Sequence, residues 1–487
     1  MSAERVLVQR GRYADSVTLM QVSRDVTEAA GVQAALVAMA TELNRELLAG
    51  LGFAAPASDS ANDLLVAIRA DSEPALDAAL NLTEQLLAAP RGRTSGLDTS
   101  LPPPRTSAAA ARRGGPGLAI VSVPGQYAFV EAMDALEAGC DVLLFSDNVS
   151  VAQEIALKDA AAARGRLVMG PDCGTAVVGG VGLGFANVVA PGPLGIVAAS
   201  GTGLQQLLCL LDHAGLGVRA ALGVGGRDLS AAVAGRATEQ ALRLLDADPE
   251  TSQLLLLSKP PDATVAARLR GLALATPIQF ALLGPGQPDL TAAAESVLRA
   301  CGIPVPAWPD WTTTNPGHLR GPYLRGLFCG GTLCDEAMLL AEAELGQLGS
   351  NIPLESGRRL ADPRSLSGHC FIDFGADELT RGRAHPMIDP ALRNQQLAAA
   401  LADESTGVVL IDVELGYGAH PDPAAALEPV LGAAMCPVVI SLIGSRADPQ
   451  GFESTAERLH RAGASVFLSN AQATRYALDL LARRRPA

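Results

Sequence analysis

The sequence predicts an α/β protein: several doubly wound domains, two of them flavodoxin-like, behind a small N-terminal α/β domain. Three observations predict it. Short apolar runs alternate with amphipathic stretches of helical period along nearly the whole chain. Many of these runs end in a glycine-containing turn that leads straight into a helical stretch, as parallel strands joined by crossover helices do. The 487 residues, 48% of them hydrophobic, suffice for three or four buried cores.

In chain order, residues 1–90 read as the small domain. The strand-like ERVLVQ precedes the helical SVTLMQVSRDVTEAA; GVQAALVAMA, the helix TELNRELLAGLG, the strand DLLVAIRA and the helix PALDAALNLTEQLLAA follow. Residues 91–117 are rich in Pro, Gly, Ser and Arg without hydrophobic period and read as a linker. Residues 118–190 read as a Rossmann-like unit: the strands LAIVSV, DVLLFS and RLVMG separated by the helices YAFVEAMDALEAG and VAQEIALKDAAAARG. Residues 191–310 repeat the rhythm with PLGIVAAS, VRAALGVG, SQLLLLSK and PIQFALLG as strands. The stretch 308–325 reads as a crossing loop. Residues 326–487 form the last unit, with HCFIDFG, GVVLIDVELG, CPVVISLIG and SVFLSN as strands. We read the last two units as related domains, a pseudo-repeat without close sequence identity.

Composition narrows the function. The net charge is −14, so a phosphate backbone is repelled and nucleic-acid binding is not expected. Only Lys158 and Lys259 are lysines, and neither ends a Gly-Lys-Ser/Thr loop, which excludes a P-loop. The eight cysteines form no Cys-x-x-Cys pair and read as buried reduced thiols. The six histidines show no metal-ligand spacing, so no metal is expected. The N-terminus carries charges and no apolar signal region, and no apolar run reaches the ~18 residues of a membrane span. The expectation is a cytoplasmic protein with no membrane contact.

Two glycine-rich turns stand out. Ser200-Gly201-Thr202-Gly203 follows the strand GIVA, and Gly416-Tyr417-Gly418-Ala419-His420 follows VVLIDVE. A strand-to-helix turn offers unpaired N–H groups and a partial positive charge, and glycine lets an anion approach them. Two such turns facing each other would make a phosphate cage. The competing reading is two tight turns without a ligand. A third candidate, 328–335, holds Gly330 and Gly331 before a helix whose first turn carries Asp335 and Glu336; an ordinary helix cap explains it as well. Arg227 ends a strand and could fork a carboxylate. Lys259 ends another, with a surface charge as its plain alternative. Between Asp373 and Pro390, Arg381, Arg383 and His385 could grip a small dianion, or line a solvated loop.

Four segments in order resemble the succinyl-CoA synthetase superfamily. Gly170-Pro171-Asp172-Cys173-Gly174 is similar to its GPNCPG segment, and GIVAASGTG at 195–203 to its phosphate-binding strand and helix. LDADPETSQLLLL at 245–257 and the stretch 371–418 are similar to further parts of its ligase domains. The resemblance covers about 118–481 and implies α-subunit domains (CoA-binding type, then ligase type) fused to a β-type ligase domain. In it, the second phosphate-binding helix starts after VVLIDVE. GRYADSVTLMQVS, Ser258-Lys259-Pro260-Pro261, GGTLCDEAMLL and GRAHPMIDP resemble the FdrA group specifically. That group is linked to bacterial allantoin catabolism, where an FdrA-type protein is implicated as one of three components of oxamate carbamoyltransferase.

The departures from the parent pattern matter. The ligases carry a phosphohistidine in a Gly-His-Ala-Gly loop; the matching region here, LLGPGQPDLTAAAE, has no histidine. The carboxylate that partners it falls, in the resemblance, at Lys259. No ATP-grasp domain precedes the β-type unit. The resemblance therefore implies carbamoyl transfer between carbamoyl phosphate and oxamate or oxalurate, without a phosphohistidine, in a hetero-oligomer with operon-encoded subunits. Ser200, Gly201, Thr202, Gly203, Gly416 and Gly418 would hold phosphate; Lys259 would neutralise it; Arg227, Arg381 or Arg383 would hold the acceptor's carboxylate; His385 or His420 would act as general base or orienting donor. Carbamoyl phosphate enters as substrate, no definite cofactor is implied, and CoA belongs to the alternative ligase reading. The alternatives are an acyl-CoA ligase using CoA with a partner's relay histidine, and a non-catalytic scaffold that binds phosphate or nucleotide.

Overall fold

The computed structural model describes residues 3–14, 16–54, 60, 63–88, 104–313, 319–354, 357–380 and 384–483. The chain divides into two units, 1–105 with 377–384, and 106–376 with 385–487.

The first unit runs β1 (Ala3–Gln9), α1 (Ser16–Thr27), β2 (Val32–Met39), α2 (Glu42–Gly50), β3 (Leu64–Ala70) and α3 (Glu73–Ala88). The strands form an antiparallel sheet in the order β1-β3-β2. Side chains of β3 alternate between its faces. Leu64, Val66 and Ile68 join Leu19, Val22 and Val26 of α1 and Leu76 of α3 in one core. Leu65 and Ala67 face the other way, with Leu48 and Phe53.

The second unit opens with α4 (Ser107–Gly114), capped by Thr106, whose hydroxyl accepts from the Ala109 N–H at 3.1 Å. This helix lies inside the stretch expected as linker; a run of alanines after a threonine cap is enough to make it. There follow β4 (Leu118–Val121), α5 (Gly125–Glu137), β5 (Asp141–Leu144), α6 (Val151–Ala163) and β6 (Val168–Met169), a parallel three-stranded sheet with its helices. Ser150 and Gln153 close a capping box at the start of α6.

The hairpin β7 (Thr175–Val178) and β8 (Val181–Gly184) belongs by hydrogen bonding to the next sheet, so that sheet begins before residue 191. It continues with β9 (Pro191–Ala199), α7 (Gly201–His213), β10 (Val218–Gly223), α8 (Arg236–Asp246), β11 (Gln253–Ser258), α9 (Ala263–Arg270), β12 (Ile278–Leu282) and α10 (Leu290–Ala300). The order is β12-β11-β9-β10-β7-β8. All six residues of β11, QLLLLS, are buried, as a strand covered on both faces requires.

The last sheet is built from β13 (Asp310–Trp311), β14 (Tyr323–Phe328), α11 (Gly331–Leu345), β15 (Gly349–Ser350), β16 (Arg358–Arg359), β17 (Cys370–Asp373), then, after α12 (Asp377–Thr380) of the first unit, α13 (Ala391–Ala402), β18 (Thr406–Glu414), α14 (Pro423–Leu431), β19 (Val438–Ile443), α15 (Phe452–Arg461), β20 (Ser465–Phe467) and α16 (Asn470–Ala482). Its order is β13-β20-β19-β18-β14-β17-β15-β16. Renumbered within each domain, β10-β9-β11-β12 and β17-β14-β18-β19-β20 are both the flavodoxin-like permutation, second strand first. The pseudo-repeat is thus visible in strand order.

One expectation is corrected. The supposed crossing loop, 308–325, contains β13 and the first half of β14, a central strand. Arg325 and Gly326 hide it by interrupting the apolar run. Arg325 is fully buried and donates to Ser405 Oγ at 3.0 Å.

Candidate functional site

In both domains the helix after the first strand starts at the carboxyl edge of the sheet, where doubly wound folds take ligands. Ser200 caps α7: its Oγ accepts from the Gly203 N–H at 3.0 Å. The same Oγ lies 2.7 Å from Thr332 Oγ1, in the first turn of α11. The two helix starts therefore meet. Glycine makes the approach possible: a β-carbon at Gly203 would lie 2.6 Å from Ser200 Oγ and 2.9 Å from Thr332 Cγ2, and one at Gly330 would lie 2.8 Å from Thr202 Cβ.

Strand ends supply charge to this junction. Lys259, half-buried after β11, reaches Asp335 Oδ2 at 3.9 Å. Asp373 is buried at the end of β17, where Asn351 holds its backbone N–H and C=O and its Oδ1 accepts from the Gly375 N–H at 2.8 Å. A β-carbon on Gly331 would lie 2.7 Å from Asp373 Oδ2 and 3.1 Å from Lys259 Nζ, so both groups sit against the first residue of α11. A β-carbon on Gly375 would lie 2.8 Å from His385 Nε2 and 3.1 Å from Asp373 Oδ1, which brings the imidazole to the same place. His385 Nδ1 accepts from the Met387 N–H at 3.3 Å, which puts the proton of the neutral ring on Nε2.

Burial sets the electrostatics. Burial pushes Asp373 up to about 7, against the pull of Lys259 and the Gly375 N–H. It raises Asp335 too, again against Lys259. Burial lowers His385 to about 4, so the ring is neutral at neutral pH. For Lys259, burial pulls the ammonium down, but Asp335, Asp373 and Asp172 more than reverse it, and it stays charged.

Beneath α11, Asp412 accepts from the N–H groups of Cys329 and Gly330 at 2.6 and 2.7 Å. Glu414, two residues on, is buried and held well above its ordinary range by burial and then by Asp412. Cys329, Asp412 and Glu414 bring one ligand atom each within 4.8 Å. Both Asp412 oxygens are already used by backbone donors, and the Arg393 guanidinium stands 3.8 Å away. The group fits a helix-capping carboxyl pair that retains a proton rather than a cation site.

Of the expected site residues, Ser200, Gly201, Thr202 and Gly203 open α7, and Lys259 and His385 join them around Gly330–Gly331 and Asp373. The turn at Gly416 and Gly418 does not open a helix; α14 starts only at Pro423, capped by Asp422. Three of its N–H groups are occupied: Gly416 donates to Gln450 Oε1 at 3.0 Å, Tyr417 to the Ala186 carbonyl at 2.8 Å and His420 to the Met387 carbonyl at 2.7 Å. Gly418 packs on Phe185. His420 Nδ1 accepts from the Asp422 N–H at 3.1 Å. The helix start that faces Ser200 is that of α11, the third candidate turn. Arg227 is engaged by Glu154 at 3.0 Å and by the Val149 carbonyl at 2.8 Å. Arg381 and Arg383 lie outside the described residues. Sequence reasoning missed Thr332, Asp373 and Asp412 as site residues. The available signal was an acid at the end of an apolar strand, in CFID and VVLIDVE.

In the Rossmann-like unit the turn before α5 is where a CoA or nucleotide phosphate would bind. The backbone carbonyls of Asp147 and Asn148 cover Gly125, the first residue of α5, and Ser146 Oγ donates to the Val123 carbonyl at 2.5 Å. Among the described residues, no helix is long and apolar enough to cross a membrane.

Residues 1–101 match the family model described as AllF, heavy metal-associated domain, and residues 327–480 the model described as CoA-ligase. Residues 1–101 hold neither cysteine nor histidine, so this domain lacks the thiolate and imidazole ligands that soft and borderline metals prefer. The chain is 37% identical over 444 residues to the protein YahF of Escherichia coli K12, covering 86% of this chain and 85% of YahF. It is 27% identical over 154 residues to a succinate–CoA ligase [ADP-forming] subunit alpha 2 of Archaeoglobus fulgidus, 31% of this chain and 52% of that one; the match spans about half of that subunit. Among solved structures, the dinucleotide-forming acetyl-coenzyme A synthetase 1 of Ca. Korarchaeum cryptofilum matches at 15% identity and a TM-score of 0.27, covering 75% of this chain and 83% of that one.

Proposed function

The chain belongs to the FdrA/AllF-type family of succinyl-CoA synthetase-like proteins, together with YahF, and on that premise we propose that it is a carbamoyltransferase subunit acting between carbamoyl phosphate and oxamate or oxalurate. One arrangement carries the reading: α7 and α11 start against each other at Ser200 and Thr332, with Lys259 beside them. Paired helix starts and a fixed cation are suited to a phosphate dianion and to the charge that builds on it as it leaves. With no histidine in 282–295, transfer is direct. Positioning and electrostatics supply the acceleration. Arg227 is committed to Glu154 and the Val149 carbonyl.

The test mixes the purified chain, with the other subunits of its complex, with carbamoyl phosphate and oxamate. Phosphate release that requires oxamate supports the reading. Thioester formation requiring CoA and ATP overturns it in favour of the acyl-CoA ligase that the similarity to succinate–CoA ligase subunits suggests. A phosphorylated imidazole on this chain overturns direct transfer. Lys259→Ala should weaken inorganic phosphate binding about tenfold or more; unchanged affinity removes Lys259 from the site.

A further inference from the structure

We propose that Asp373 is the residue that moves the proton in this transfer, a role that rests on the carbamoyl-transfer reading. Its carboxyl sits at the end of β17 against Gly331 of α11, beside Lys259 Nζ and on the same side of Gly375 as the His385 imidazole. It is thereby next to the start of α11, the helix that meets α7 at Ser200 and Thr332.

Direct transfer needs such a group. In carbamoylation, a nitrogen lone pair of oxamate attacks the carbamoyl carbon. The C–N bond forms, the C–O bond to phosphate breaks, and the nitrogen sheds one proton. Asp373 takes that proton and hands it to the departing phosphate. In the reverse direction a phosphate oxygen attacks the ureido carbon of oxalurate. The C–N bond breaks and Asp373 gives the leaving nitrogen its proton, regaining the one that hydrogen phosphate loses. Atoms and charge balance, and no co-reactant is required.

The other groups at the junction are poorly placed for this work. Lys259 is held in its charged form by Asp335, Asp373 and Asp172 and serves as counter-ion. His385 is held neutral by burial, far below working pH, and makes a weak base. The groups that face Asp373 from the elements around it are Lys259 after β11, Asp335 and Cys334 of α11, Asp412 of β18, Cys329 after β14 and His385. Their sum, with burial, leaves Asp373 poised near neutrality, where a group both accepts and returns a proton. Asn351 and the Gly375 N–H fix the backbone and one oxygen, so the second oxygen, Oδ2, is the one turned to Gly331.

The test uses the assembled complex with Asp373→Asn, an isostere that keeps the Gly375 bond, and Asp373→Glu. Oxamate-dependent phosphate release should fall at least about 100-fold in Asp373→Asn. Its rate should lose the inflection near neutral pH, and Asp373→Glu should regain part of the rate. Inorganic phosphate, titrated calorimetrically near pH 7.5 in buffers of different ionisation enthalpy, should bind wild type with proton uptake and Asp373→Asn without it. Wild-type rates and an unchanged pH profile in Asp373→Asn overturn the proposal while leaving carbamoyl transfer standing. If wild type releases no phosphate under any condition, carbamoyl transfer falls. The calorimetry then decides for Asp373 alone: uptake lost in Asp373→Asn keeps it as the proton carrier of an anion site, and equal uptake, or no phosphate binding, removes it.

Discussion

Ser200 Oγ and Thr332 Oγ1 lie 2.7 Å apart although 132 residues separate them in sequence. Each belongs to the first turn region of the first helix of a domain with the same strand permutation. The contact therefore marks the pseudo-symmetry of the two domains.

That contact should be measurable as a coupling. Ser200→Ala removes the α7 cap and should cost about 1 kcal/mol of stability. Thr332→Val removes the other hydroxyl. A double-mutant cycle in urea should give a coupling of about 0.5–1.5 kcal/mol between them. Additive effects would mean that the two helix starts do not meet in solution.

The closeness of the helices makes a second demand. Gly203→Ala places a methyl 2.6 Å from Ser200 Oγ and 2.9 Å from Thr332 Cγ2, and should destabilise by roughly 1–3 kcal/mol through overpacking. Gly226→Ala, where nothing lies within 4 Å, is the control and should change stability by less than about 0.5 kcal/mol. Equal melting temperatures for the two variants would contradict the packing.

Half of this junction was legible in the chain. PLGIVAA followed by Ser-Gly-Thr-Gly is a buried strand running into a capped helix, and it folds as one. Its partner was harder. The run before α11, YLRGLF, carries a buried arginine and a glycine that packs on Phe371, so its apolar period is broken. The motif at 416–420 has the more conspicuous glycines. Both adopt positive φ, +104° and +80°, and turn the chain onto Ala186 and Phe185 instead of into a helix. Local glycine patterns report a turn but not what lies across it. The carboxyls of Asp373 and Asp412 looked like strand ends, because their importance comes from strands brought together by fold topology.

Stability should depend on pH through Glu336. It is buried in α11, accepting from the Leu290 N–H at 2.6 Å and from Asn470 Nδ2 at 2.7 Å. Burial, then the charge of Asp289, pushes it up to about 7. Unfolded, it titrates near ~4.3. Between those values the folded state binds a proton that the unfolded state has lost. Its contribution is complete below the lower value and disappears as pH rises through about 7. Asp373 acts in the same direction. Glu336→Gln should flatten the fall in the urea midpoint between pH 5 and 8, working ranges set by these two values. Parallel curves for wild type and variant would refute the assignment.

Lys158 should be the more drastic site, because its partners cannot reach water. Its side chain is 1% exposed, and those of Glu154 and Asp228 are 0% exposed. The ammonium donates to Glu154 Oε1 at 2.6 Å, Asp228 Oδ1 at 2.8 Å and the Val224 carbonyl at 3.0 Å. Asp228 in turn accepts from the Thr238 N–H at 2.8 Å near the start of α8. One cation thus ties α6 of the Rossmann-like unit to the loop that opens α8 of the next domain. Lys158→Met keeps the volume but leaves the buried Asp228 without its counter-ion and Glu154 with Arg227 alone, and should cost about 3–5 kcal/mol. Arg164→Met, at an exposed arginine at the end of α6, should cost less than about 0.5 kcal/mol. If both variants unfold at the same urea concentration, water reaches the Lys158 cluster and the two domains are held by their apolar contacts alone.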